Sequence, residues 1–203
     1  MKRKLLVGLV LLAGLLNCDP TPSKVQYVQP LAQAQVGRLQ ALPAKPFGDL
    51  SKAQQDELFD VLVQGAESFD EIKYLQARCN LKIMNPNRAI CEPKKAKCDS
   101  KAAERKAKPR DVKKVQNILK SKKDYINKFF KTWAITPQEL PVLFFAANHV
   151  NDFWNRQPCH FNNVDQEFAD IDKAIDAEVP GRSRVLKFAS MQFSNLFIED
   201  TVD

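Results

Sequence analysis

The chain has 203 residues, 44% of them hydrophobic, 27% charged and 9% aromatic, with a formal net charge of +7. This is a globular composition with enough apolar material for a real core, and its length excludes more than one compact domain with a tether or two small domains. Only 6 residues are Gly, which argues against a turn-rich sheet protein and for helices.

The chain opens on Lys2, Arg3 and Lys4, followed by an unbroken apolar run from Leu5 to Leu16 and then Asn17-Cys18-Asp19-Pro20. A basic start and a short apolar stretch have the layout of an export signal. The run falls short of the ~20 apolar residues that span a bilayer. Leu15-Leu16-Asn17 does not offer the small residues an ordinary leader peptidase cuts behind. The segment resembles a bacterial lipoprotein leader, with Leu15 and Cys18 matching a Leu-x-x-Cys lipobox, while Leu16 and Asn17 depart from its usual small residues. The resemblance covers the first twenty residues. It implies cleavage after residue 17, lipidation of Cys18, and an extracytoplasmic, membrane-anchored protein of a bacterial envelope, in the periplasm or on the cell surface. A plain secreted chain and an uncleaved anchor stand as alternatives.

From Cys18 to Gly48 the chain is rich in Pro and Gln, the composition of a tether, with room for a short helix around Leu31 to Leu42. Residues 49–203 are predicted to form a helical domain. Ser51 is an N-cap candidate ahead of Leu58, Val61 and Leu62, and Gly65 ends that helix. Ser68-x-x-Glu71 is a capping-box pattern for a second helix, which stops near Asn85-Pro86.

Residues 94–123 hold thirteen Lys or Arg against three acids, a net charge of +10 in one stretch. Cys79, Cys91, Cys98 and Cys159 flank or follow it. Four cysteines in an exported chain predict two disulfides with three possible pairings. Cys91 with Cys98, closing a Lys-rich loop over Glu92 to Lys97, and Cys79 with Cys159 is the favoured set. A zinc site is disfavoured because the C-x2-C spacing of structural zinc is absent.

Val112, Val115, Leu119, Ile126, Phe130 and Trp133 form a helix stripe, interrupted at Lys122 and Lys123, that starts at Pro109 or Asp111. Thr136-Pro137-Gln138-Glu139 is a helix start, delayed to Pro141 by that second proline. Leu140, Leu143, Phe144, Ala147, Val150 and Trp154 mark the most buried helix, ending near Gln157-Pro158. Asn163 caps an amphipathic helix carrying Val164, Phe168, Ile171, Ile175 and Val179, stopped by Pro180-Gly181. Ser183 caps the last helix.

No nucleotide, zinc-protease or nucleophile-elbow motif is present, and no cofactor or metal is predicted. His149 is expected as a core or boundary histidine, and His160 lies in a loop. Asp165, Asp170, Asp172, Asp176 and Glu178 share one helix and are expected to face solvent. Glu57, Glu67 and Glu139 have no partner carboxylate at the spacing a glycosidase needs. The basic stretch is the functional lead, with Lys94, Lys95, Lys97, Lys101, Arg105, Lys106, Lys108, Arg110, Lys113 and Lys114 as candidate contacts for anionic lipid, wall polymer or acidic protein. Nucleic acid is disfavoured because aromatic residues that stack on bases are missing before Tyr125. The reading is an all-α protein of five or six helices, stapled by two disulfides and binding rather than catalysing. An envelope hydrolase using His149 or His160 with nearby carboxylates, and an unanchored secreted effector, are the alternatives.

Overall fold

The computed structural model describes residues 25–85, 87–156, 159 and 164–198. Among these the regular structure is helical throughout. There are nine α-helices: α1 Gln33–Gln40, α2 Lys52–Gln64, α3 Glu71–Ile83, α4 Arg88–Lys106, α5 Val112–Ser121, α6 Lys123–Thr132, α7 Leu140–Arg156, α8 Val164–Glu178 and α9 Ser183–Phe193. Short 3-10 turns join them at Phe47–Asp49, Gly65–Ser68, Pro137–Glu139 and Ser194–Phe197. The leader, Cys18, His160 and Asn163 lie outside the described residues.

The helix α7 is the hub. Its apolar residues run almost all round it, from Leu140 through Phe153, so it must be covered on several sides. It packs against α3, α8 and α9. The 3-10 turn before it carries the reciprocal cap of Thr136 and Glu139, and the helix proper starts at Leu140, one residue ahead of Pro141. In the first turn a proline removes an N–H that has no intrahelical partner. The centre of the core is aromatic. Phe69 stacks on Phe197 at 4.1 Å between ring centroids, and Phe144 meets Phe193 and Phe197 edge-on at 5.0 and 5.6 Å.

Nine helices replace the expected five or six for three local reasons. First, the Pro/Gln-rich stretch is not free of the body. Leu31, Val36, Leu39 and Phe47 are buried in the core, and α1 is pinned by Arg38, which reaches Glu57 and Asp60 on α2 at 2.6 Å each. Gln138 closes the C-terminal end of α1 by donating to the carbonyls of Leu39 and Leu42. Packing therefore begins before residue 49. Gly65 permits it, because a Cβ there would stand 2.7 Å from Leu31. Second, the stripe from Val112 to Trp133 is two helices, broken at Lys122, whose ammonium is drawn to the carbonyl of Ile198 at 2.7 Å. Third, residues 88–106 form one long helix with Pro93 in its second turn, where a Lys-rich loop was expected. Asn87 caps it, accepting from Ala89 N at 3.1 Å, and Lys, Ala, Glu and Arg sustain it as strong helix formers.

Caps differ at two further places. Ser51 caps α2 as expected, with Gln54 reciprocating. At α3 the cap is Asp70, accepting from Lys73 N at 3.0 Å, rather than Ser68, which belongs to the preceding 3-10 turn. At α9, Ser183 is the first helical residue, and Asp176 at the end of α8 takes the N–H groups of both Gly181 and Ser183 at 3.2 Å.

Candidate functional site

The cysteines are oxidised in pairs that differ from the favoured set. Cys79 bonds Cys98, and Cys91 bonds Cys159. Helix geometry is the reason. Cys91 and Cys98 both stand on α4, seven residues apart, so their Cα atoms are separated by about 10 Å along the axis, beyond the ~7 Å a disulfide tolerates. Each must reach another element. With both thiol pairs consumed in bridges, the zinc alternative loses its thiolates.

The Cys79–Cys98 bridge sets α3 and α4 side by side and antiparallel. A second tie fixes the same register: Gln76 Nε2 donates to Asp99 Oδ1 at 2.7 Å. Between the helices runs a solvent-open groove of about 200 Å³. The disulfide, Leu75 and Ala102 line it together with Arg78 and Lys82 from α3 and Lys101 and Arg105 from α4. Among the described residues no carboxylate lines it. Asp99, at its edge, is held by Lys95 at 2.6 Å as well as by Gln76.

The predicted basic residues separate in space. Lys94, Lys97 and Lys101 are exposed on α4, with Arg105 half-buried beside them. Their spacing of three and four residues puts them on one helix face. Lys95 is turned towards Asp99. Lys106 and Lys108 are exposed at and beyond the end of α4. Arg110 does structural duty: its guanidinium donates to the carbonyls of Glu67 at 2.6 Å, Ala66 at 2.8 Å and Phe69, closing the turn before α3. Lys113 and Lys114 sit on α5, which packs on α2, on α6 and on the 3-10 turns Gly65–Ser68 and Ser194–Phe197 rather than on α4. A basic run in the chain thus supplies one basic face on α4 and several structural cations elsewhere. Arg78 and Lys82 complete the groove but lie outside the run. Their one sequence signal is the spacing 78, 82 on either side of Cys79.

The other candidates have structural partners. His149 is half-buried against Phe145, ring centroids 4.3 Å apart, and burial holds its pKa below the usual histidine value, opposed by Asp152. Asp152 pairs with Lys73 Nζ at 3.0 Å. Its neighbours on α7 form a polar seam to α3: Asn148 accepts from Asp70 N and donates to Ser68 O, and Asn155 donates to Lys73 O at 3.0 Å. On α8, Asp170 is buried and accepts from Gln166 at 3.0 Å, Asp172 pairs with Lys187 at 2.5 Å, and Asp176 caps α9. Glu57 is held by Arg38, and Glu139 is buried against Arg182 at 2.6 Å. Among the described residues no three His, Cys, Asp or Glu side chains gather as a metal site. Comparison of the chain with protein-family models, with characterised proteins and with solved structures finds no match.

Proposed function

We propose that this protein is a non-enzymatic binding or assembly component of a bacterial envelope, anchored through a lipidated Cys18 and presenting the α3–α4 hairpin to an anionic partner. The observation that carries the binding half is the groove itself, where four cations from two helices line one concavity with no carboxylate among its described lining residues. The anchoring half rests on the leader alone.

The test has two parts. Mass spectrometry of the mature N-terminus is expected to find Cys18 first and acylated; a free amine at Asp19 or beyond, with no acyl mass, rejects the anchor. In the second part, Lys94, Lys95, Lys97, Lys101, Lys106 and Lys108 are replaced together by Gln, and binding to isolated envelope is measured across salt concentrations. Binding weakens and its salt dependence flattens if these residues contact anions. Equal binding with an equal salt slope removes the hairpin as the contact.

A further inference from the structure

Away from the hairpin, large apolar side chains stand exposed where α6 and α9 meet. Tyr125 on α6 is 54% exposed, and Phe188 and Met191 on α9 are 48% and 38% exposed. The two helices are tied together at this place. Trp133 Nε1, just past α6, donates to Gln192 Oε1 on α9 at 3.1 Å, and the buried rings of Phe129 and Phe193 meet at 6.1 Å. Tyr125, Phe129, Trp133 and Gln192 line one open cleft of about 170 Å³, with Lys128 and Thr132. Phe188 and Met191 lie three residues apart, and Phe188 and Gln192 four, the spacings that put side chains on one helix face. Gln192 therefore joins the cleft to Phe188 and Met191.

The charge of this surface is almost wholly positive. Lys128 and Lys131 are exposed on α6, and Arg184 is exposed on α9 four residues before Phe188. Among the described residues none of the three is ion-paired. Asp124, in the first turn of α6, is the one acid on either helix. A second copy of the chain would bring these cations against their own counterparts across a two-fold axis. An anionic bilayer suits both halves of the surface. Tyr and Trp have an apolar body and a polar tip and settle at the level of lipid headgroups. Phe and Met reach the acyl boundary. Lys and Arg lay their apolar stems along it while their charges meet phosphate.

We infer that the α6–α9 face docks onto an anionic phospholipid bilayer. Tyr125, Phe188, Met191 and the exposed part of Trp133 enter the interface, and Lys128, Lys131 and Arg184 meet the headgroups. For its place in the cell this rests on the anchoring half of the reading above, because a lipidated Cys18 would hold the body near a bilayer and let a weak contact form. It shares no residue with the α3–α4 hairpin.

The chain from Asp19 to Asp203 contains every described residue and carries neither leader nor acyl group, so vesicle binding by it belongs to the body. It is co-sedimented with mixed phosphatidylglycerol–phosphatidylcholine vesicles and with phosphatidylcholine vesicles. The mixed vesicles are expected to bind it more tightly, and less so as salt rises. Tyr125→Ser, Phe188→Ser and Met191→Ser together should weaken binding by roughly tenfold or more. Lys128→Gln, Lys131→Gln and Arg184→Gln together should weaken it by roughly a hundredfold. Two controls on the hairpin, Leu81→Ser with Ile90→Ser and Lys94→Gln with Lys97→Gln, should each change it by less than about threefold. Circular dichroism checks that every variant is helical. Trp154→Phe leaves Trp133 as the sole tryptophan, and its emission should move to shorter wavelength on the mixed vesicles and be quenched by brominated lipid. Vesicle binding with that emission unmoved, equal losses in the hairpin and α6–α9 variants, or no vesicle binding would overturn the docking face. A Trp133 shift given by soluble N-acetylglucosamine oligomers and not by vesicles would assign the cleft to sugar and overturn it as well. Acylation of Cys18 and the salt-dependent envelope binding of the α4 lysine variant are read separately, so failure here leaves that reading standing.

Discussion

Ala134 is the sole non-glycine residue with a left-handed backbone among the described residues, at φ 48°. It ends α6 in a Schellman arrangement, with Ile135 N bonded to Phe130 O at 3.0 Å and Ala134 N to Lys131 O at 3.1 Å. That position favours glycine, because a Cβ crowds the backbone there. Ala134 is exposed, so its methyl group contributes no packing. Ala134→Gly should stabilise the protein by about 0.5–1 kcal/mol, seen as a rise in Tm of about 1–4 °C; an unchanged or lower Tm contradicts the strain. His149 carries the acid response near neutrality. Burial lowers its folded pKa below 6.5, so below that pH the unfolded chain binds the proton more readily, and stability falls as pH drops from 6.5 through the folded value. Glu57, depressed below 4.5 by Arg38, loses its contribution in a separate, more acid window. Denaturant titrations of His149→Gln should show a flatter stability profile between about pH 7 and pH 5 than the parent. Identical slopes would mean that His149 is not buried as described.

The two disulfides act on different elements. Cys79–Cys98 holds α3 to α4 and closes 19 residues; Cys91–Cys159 ties the start of α4 to the segment after α7 and closes 68. On the loop-entropy estimate they stabilise by about 3 and 4 kcal/mol. Non-reducing peptide mapping should recover these pairs, and recovery of a Cys91–Cys98 peptide would mean that α4 is not helical between them. The Cys79→Ser, Cys98→Ser variant should keep its helical content while losing roughly those 3 kcal/mol in denaturant melts. The groove between α3 and α4 should widen, because what remains between the helices is weaker than a covalent bond: the Gln76–Asp99 hydrogen bond and side-chain packing.

At the level of the molecule, the body begins in the stretch whose composition reads as linker. Val25 and Tyr27 pack on the core, and Leu31, Val36, Leu39 and Phe47 are inside it. Each fully buried aliphatic or aromatic side chain stabilises by about 1.5–3 kcal/mol. A chain starting at residue 49 should therefore lose several kcal/mol, much of the 5–15 kcal/mol typical of a domain. It should melt early or fold poorly, whereas one starting at residue 25 should melt like the whole mature chain. Equal melting of the two would restore the tether boundary at residue 48.

Local pattern was sufficient for helices whose signal is carried by their own residues. The stripes of α7 and α8, the cap at Ser51 and the stop at Pro180-Gly181 follow from periodicity, capping chemistry and backbone restriction, all short-range effects. So does the all-α class. The even cysteine count announced two bridges, but which sulfurs meet depends on which helices lie side by side, and long-range packing decides that. The same holds for burial of the Pro/Gln segment, where Arg38, Gln138 and Gly65 receive α1 from three distant places. It holds most of all for the groove. The charge run marked a basic stretch read as a loop, which folds as α4, while Arg78 and Lys82 join it only when α3 folds back alongside, and Arg110 and Lys122 leave it because carbonyls from other elements take their donors. Charge density along a chain is a one-dimensional quantity; a binding surface depends on which side chains share a side of the folded body, and long-range contacts alone determine that.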